Sequence, residues 1–448
     1  MCPTLLPSLT PLNADDCEAQ DAGSLAGTFA EPRDREAEDG REHDRITETD
    51  QDGCPHREGA ASGHGEQDEQ RSHRRVESQG LSRIDSAHSE GAHESTHHRT
   101  APESVDISGV AAASYNHRLI KADDPNGGNA LFKNPNANTF QVDQIWLTLD
   151  KAPTEESRAG FHAEFATGAS ATVQGDGGGG DGVPYLYSGY VSYLAPVLDG
   201  VQVDLGRLGT VLGAEVVQTN GNFFVTQGAV FGLQPVTYNG VSLGTSITDE
   251  ISVVAGVVND VYSDTMVSAD NNKAYFGQVS YGGDAFGLNV GGIIGDSDAS
   301  VCNQAAGPQN DCQVSIVDVV LTADPTDNLS VWANFDWVNV NGSDNGPDGN
   351  AFGIAGAGRL GITDTMGIAS RIEYINTSSN LTGLADDSEL FTLTGTLDKT
   401  LAEGLVTRVE LRYDTFLDDN GTGFTLNGDG VGTNDDQLVA LWQMYYEF

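Results

Sequence analysis

Arg371 and Glu373 are two positions apart, as are Arg408, Glu410 and Arg412 in turn. In an extended chain that spacing turns each set to one face. Arg207 and Arg359 stand in similar alternating runs. Acidic and basic groups opposed across a wet interior orient dipolar solutes and select ions. The same groups can equally form interior ion pairs that stiffen a wall, and both readings stand at this point. A second polar set, Glu215, Gln218, Asn220 and Asn222, falls in the longest connection, with Phe223, Phe224 and Phe231 beside it to pin it. Catalysis finds less support. Only His117 and His162 occur after residue 102, and no serine motif accompanies His162 or nearby Glu164. No catalytic residue and no cofactor is expected, and the chain does not read as an enzyme.

Metal chemistry is similarly thin. Eight of the ten histidines, His88, His93, His97 and His98 among them, are scattered through residues 1–102 without a repeating ligand spacing. Gly175–Gly182 resembles one copy of a calcium nonapeptide, but such sites need stacked copies. The acidic loops beginning at Asp344 and Asp418 lack the distal Glu of a twelve-residue calcium loop. Cys302 and Cys312 have no histidine or third cysteine nearby, so zinc is not expected. In an oxidising compartment they read as a disulfide closing a short loop; two unpaired loop thiols are the other reading.

The elements that must carry these residues are strands. From residue 105 onward, sixteen alternating runs recur between Gly/Asp/Asn clusters. They are 105–115, 139–149, 159–167, 185–194, 201–207, 236–243, 251–259 and 274–281, then 286–294, 313–322, 329–338, 351–360, 366–375, 389–397, 405–413 and 436–448. Connections after even-numbered runs are short; those after odd-numbered runs are mostly longer, the longest being 208–235. Strict short–long alternation around an even number of strands is the signature of a transmembrane barrel. Three short turns repeat a Thr-Asp pair, at 248–249, 326–327 and 363–364, whose side-chain oxygens suit a tight turn. The fold class expected is all-β, a transmembrane antiparallel barrel of about sixteen strands, preceded by a disordered segment.

The final run supports this. Leu438, Ala440, Trp442, Met444, Tyr446 and Phe448 share one apolar, aromatic face that ends the chain. A last strand of this kind is what the barrel-assembly machinery reads in outer-membrane barrels, so Trp442, Met444, Tyr446 and Phe448 form the expected assembly signal. No run reaches the ~18 consecutive apolar residues of a membrane-crossing helix. Lipid-facing charge at mid-bilayer costs about 2–4 kcal/mol, so the strand arginines are expected to face inward. Residues 105–448 hold 12 Lys+Arg and 43 Asp+Glu, net −31. Nucleic acid is excluded as a partner and cations are favoured, although acidic surfaces also mark proteins from salty habitats. Residues 1–102 lack periodicity, contain Phe29 as their one aromatic, and are too polar to fold alone. No signal-peptide pattern opens the chain. The segment reads either as an artefact of the gene start, which is preferred, or as a genuine acidic extension, with the barrel domain at 103–448.

With those residues in view, the region from about 105 to 448 resembles the OmpL-like family of β-barrel porins. The marks are Phe140–Pro153, Val203–Val217, which contains Gly-Arg-Leu-Gly-Thr-Val-Leu-Gly, Phe231–Val241 and the Thr-Asp turns. The resemblance implies an outer-membrane channel with no catalytic residues, passing small hydrophilic solutes by passive diffusion, with outer-membrane lipids and the assembly machinery as partners. Its acidity implies cation preference. By likeness to diffusion porins, the third long connection, 208–235, is expected to fold inward as the pore constriction, with Glu215, Gln218, Asn220 and Asn222 lining it. Arg207, Arg359, Arg371, Glu373, Arg408, Glu410 and Arg412 would be the lumen charges. The alternative is a plugged barrel with a structural or adhesive role. A homo-oligomer is compatible with either.

Overall fold

The computed structural model describes residues 105–119, 138–169, 184–198, 200–262, 273–297, 312–342, 348–378, 388–418 and 435–448. Residues 1–102 lie outside them, as do Cys302, Gly175–Gly182 and most of the two acidic loops.

Sixteen strands follow one another: β1 Asp106–Arg118, β2 Thr139–Lys151, β3 Ala159–Thr167, β4 Tyr185–Ala195, β5 Val201–Gly209, β6 Thr237–Ser246, β7 Ile251–Val258 and β8 Ala274–Gly282. Then come β9 Gly287–Ser297, β10 Cys312–Thr326, β11 Leu329–Gly342, β12 Gly349–Thr363, β13 Met366–Thr377, β14 Ser388–Ala402, β15 Leu405–Phe416 and β16 Asp436–Glu447. Each pairs antiparallel with its sequence neighbours. β16 also pairs β1, from Val110↔Glu447 to Arg118↔Val439, and so closes the barrel. Closure removes the exposed edge that an open sheet would present.

Period two does the sorting. On β16 the outward Trp442 and Tyr446, and Phe448 just past its end, are exposed while inward Val439, Leu441, Gln443 and Tyr445 are buried. On β13 the outward Ile368 and Ile372 are exposed while Arg371 and Glu373 are buried. The outward rows, including Phe140, Val191, Leu205, Tyr275, Ile354 and Leu411, form an apolar girdle of the kind a bilayer covers. Among the described residues no helix is long and apolar enough to cross a membrane.

The sequence pattern ends several strands too early. Residues 323–326, 361–363 and 398–402, expected in turns, belong to β10, β12 and β14. The reason is local. Pairing persists to Thr326↔Leu329, Thr363↔Met366 and Ala402↔Leu405, with a bulge absorbing the mismatch behind each two-residue turn. Pro325, which has no N–H to give, sits at the bulged step. In two of the three repeated Thr-Asp turns the threonine accepts from the backbone, while Thr326 Oγ1 donates to the Asn328 side chain at 2.8 Å. Thr248 Oγ1 accepts the N–H of Ile251 at 3.0 Å, and Thr363 Oγ1 that of Thr365 at 3.3 Å.

Candidate functional site

Between β5 and β6 runs a connection of residues 210–236 with only two short 3₁₀ turns, Thr219–Gly221 and Val230–Leu233. It folds into the barrel, and the inward rows of the strands hold it. Near its start, Leu212 packs against Gly291 of β9, and Gln278 of β8 donates to the Val211 carbonyl. Ala214 N–H donates to Asn334 Oδ1 of β11 at 3.2 Å. Near its end, Gln234 Nε2 donates to Asp336 Oδ2 of β11 at 2.6 Å, and Tyr262 Oη to the Leu233 carbonyl at 2.9 Å.

The middle of the connection reaches another wall. Gln144 of β2 donates to the Val217 carbonyl at 2.7 Å and accepts Thr219 N–H at 3.1 Å. Gln218 donates to Glu164 of β3 at 2.9 Å, and Thr219 Oγ1 to Gln443 of β16 at 2.9 Å. β3 and β11 stand eight places apart in a ring of sixteen. The connection therefore bonds to diametrically opposite strands.

The charged strand residues form its bed. Arg408 donates to the carbonyls of Thr219 at 2.8 Å and Asn222 at 2.7 Å, and its guanidinium lies 4.7 Å from the Tyr445 ring centroid. Glu410 accepts Val225 N–H at 2.6 Å, Thr226 N–H at 3.1 Å and Thr226 Oγ1 at 2.6 Å. Arg412 donates to the Gln227 carbonyl at 2.6 Å and to Asp414 at 2.9 Å. Arg371 bonds Glu215 Oε1 at 2.5 Å and the Thr226 carbonyl at 2.9 Å, stands 3.0 Å from Glu373, and covers the Phe224 ring at 4.5 Å. Glu373 in turn accepts Val230 N–H at 3.2 Å. These contacts are charge-assisted, which makes them the stronger hydrogen bonds of a protein.

Each expected site residue can now be placed. Arg371, Glu373, Arg408, Glu410 and Arg412 come together beneath the connection rather than across open water from it. Arg207 is buried on β5, where Nε donates to the Tyr187 carbonyl at 2.8 Å. Arg359 stands apart, half-buried near the short-turn end, in a two-point pair with Asp398 at 2.9 and 2.6 Å. Glu215 and Gln218 point to the wall. Asn222 folds onto its own segment, donating to the Val216 carbonyl at 2.6 Å and accepting Val216 N–H at 2.9 Å. Asn220, half-buried, donates to Glu447 at 3.3 Å. Phe223 and Phe224 pack with Ala357, Ala369 and Trp332, while Phe231 joins Trp146, Tyr187 and Val217. His162 lies 2.9 Å from Asp150 and 3.3 Å from Glu164. Cys312 is buried at the head of β10 and disulfide-bonded; Cys302 lies outside the described residues.

Sequence reasoning missed Gln144, Gln443, Asn334, Asp318 and Asp336. The last two left a trace: an aspartate alone on the inward face Val314, Ile316, Asp318, Val320, and another following Asn334 at period two. Among the described residues no three His, Cys, Asp or Glu side chains converge as a metal centre.

Residues 104–448 match the model of the family described as "Putative beta-barrel porin-2, OmpL-like". Solved structures share the fold at low identity. An anion-selective porin from Comamonas acidovorans aligns at TM-score 0.55 and 13% identity, over 77% of this chain and 99% of that one. The in-vitro folded outer membrane protein OmpT of Vibrio cholerae, in its trimer form, gives 0.54 and 14% over the same shares. The outer membrane channel DcaP of Acinetobacter baumannii gives 0.53 and 11%, over 77% and 97%. No curated protein matches the chain.

Proposed function

The chain belongs to the OmpL-like β-barrel porin-2 family and resides in the cell outer membrane, and from that premise we infer that it passes small hydrophilic solutes by passive diffusion, with preference for cations. The observation that carries this reading is the connection 210–236, drawn inside a closed barrel and fastened to opposite walls. A connection held so reduces a sixteen-strand bore to a narrow passage. The acidic balance of residues 105–448, net −31, and inward Asp143 and Glu164 support cation preference, because fixed negative charge along a passage raises local cation concentration. Outer-membrane lipids cover the outward girdle, and Trp442, Met444, Tyr446 and Phe448 serve the assembly machinery. The pair Cys302–Cys312 closes the loop before β10. The trimer form of the Vibrio cholerae protein suggests a homo-oligomer here too. No catalytic step is assigned.

Reconstitution into planar bilayers tests the reading. Ohmic conductance steps are expected, with a reversal potential of cation-selective sign under a potassium chloride gradient. A silent protein would overturn it. The reach of 210–236 from β3 to β11 favours a second reading, a barrel closed by its own connection. That reading requires silence in the full chain and steps only after 210–236 is shortened.

A further inference from the structure

Asp318 of β10 and Asp336 of β11 are direct cross-strand partners, both turned inward and both fully buried. Like charges set opposite one another on a sheet destabilise it. Among the described residues, none beside them balances the charge. Their other sheet partners are Gly291 of β9 and Gly353 of β12. Along their own strands the inward neighbours are Ile316, Val320, Asn334 and Val338. From the inner connection they meet Gly213 and Gln234, with Leu212 and Leu233 alongside. None of these carries positive charge.

The hydrogen bonds are incomplete in a patterned way. Asp318 accepts from Asn334 Nδ2 at 2.6 Å and from the Gly213 N–H. Asp336 accepts from Gln234 Nε2 at 2.6 Å. The two carboxyl groups lie within hydrogen-bonding reach of each other. Apart from the facing carboxyl, no donor among the described residues meets Asp318 Oδ1, Asp336 Oδ1 or Gln234 Oε1, all three buried. Gln234 is 2% exposed, and its amide nitrogen binds Asp336 and Asn334, which fixes that amide at the cluster.

We propose that Asp318 Oδ1, Asp336 Oδ1 and Gln234 Oε1 hold a divalent cation of the calcium class. Uncompensated buried carboxylates cannot both remain charged in such surroundings. One shared proton would leave a net negative charge and satisfy none of the amide oxygen. A divalent ion neutralises both carboxylates and takes all three oxygens. An oxygen-only donor set selects calcium or magnesium over thiophilic and imidazole-seeking metals. Calcium tolerates the irregular geometry of side chains drawn from two strands and a loop, where magnesium demands a near-ideal octahedron. The ion would also have a mechanical role. Asn334 binds Ala214 and Gln234 together, so the site clasps both ends of the 210–236 connection to the wall. It does so whether or not the barrel conducts.

Calcium titration of the full chain, folded in detergent and stripped with chelator, tests this. Any calcium taken up by other carboxylates of the chain is common to both proteins, so the readout is the difference between the wild type and Asp318→Asn/Asp336→Asn. The wild type is expected to take up one more calcium ion per chain by calorimetry, and its unfolding midpoint on heating should rise with calcium more than the variant's does. Equal stoichiometry overturns the proposal. So does a calcium-insensitive wild type that releases one proton more than the variant on alkaline titration, since a shared proton would then occupy the site. If the double variant does not fold, Gln234→Met keeps both carboxylates. It should weaken the differential site by at least about tenfold, the least that losing even an outer partner of a metal ligand costs; unchanged calcium binding overturns the proposal there too.

Discussion

Arg371 has no contact with water, yet it meets two carboxylates, a carbonyl and an aromatic face. Removing such a cation leaves Glu215 and Glu373 buried without their partner. Arg371→Met is therefore expected to destabilise the barrel by about 3–5 kcal/mol, seen as a lower temperature for the heat-induced gel shift. The pair Arg359–Asp398 gives the contrast. Arg359 is 34% exposed, and solvent screens its attraction, so Arg359→Gln should cost under about 1 kcal/mol. If the two substitutions cost the same, the depth of the charge is not what sets its worth. The period of two made both arginines legible as inward-facing. It could not separate them, because the partner of Arg371 arrives from Glu215, 156 residues away in sequence, and strand spacing carries no information about a loop that closes over the wall. The polar lining expected from Glu215, Gln218 and Asn222 was unreadable for the same reason: their types were visible, while the surface they would meet was not.

At the scale of elements, all sixteen strands and the short–long rhythm of their connections can be read from alternation, because every strand has one lipid face and one interior face. What alternation misreads is length. Two-residue turns let pairing run past the last hydrophobic residue, so β10, β12 and β14 outlast their patterns. The connection 210–236 behaves as an element of its own, without regular structure and fastened by side chains of the wall. Its bed carries Arg371, Arg408 and Arg412 against Glu373, Glu410 and Asp414, three charges of each sign. The connection adds Glu215, so the assembled patch is net −1 and the bare bed is neutral. Replacing residues 214–233 by a short Gly-Ser link should raise single-channel conductance several-fold, measured in planar bilayers. It should also move the reversal potential toward zero, because Glu215 goes with the segment. A larger conductance with unchanged selectivity would place the selective charge elsewhere in the lumen.

The whole barrel depends on one seam that joins the chain's last strand to its first. Phe448 and Gly109 exchange backbone hydrogen bonds at 3.0 and 3.1 Å, and a Cβ on residue 109 would stand closest to the Trp146 carbonyl oxygen of β2 and 2.6 Å from the nearest carbon of the Phe448 ring. Glycine at 109 thus leaves room for the terminal ring at the interface end of β16. The proposed role of Phe448 in assembly is entangled here with its clasp for closure, and two variants separate them. Deleting Phe448 removes both, so the fraction reaching heat-modifiable form in the outer membrane should fall sharply. Gly109→Leu keeps the terminal aromatic but expels its ring from the seam. That variant should still assemble better than the deletion and unfold at a lower temperature than the wild type, by the equivalent of at least about 1–2 kcal/mol, because the new side chain displaces the ring and crowds the Trp146 carbonyl of β2. Both proteins that reach the membrane should retain wild-type ion selectivity, since neither change touches the bed of the connection. Failure of Gly109→Leu to assemble would make the packed seam, rather than the bare aromatic terminus, the feature that assembly requires.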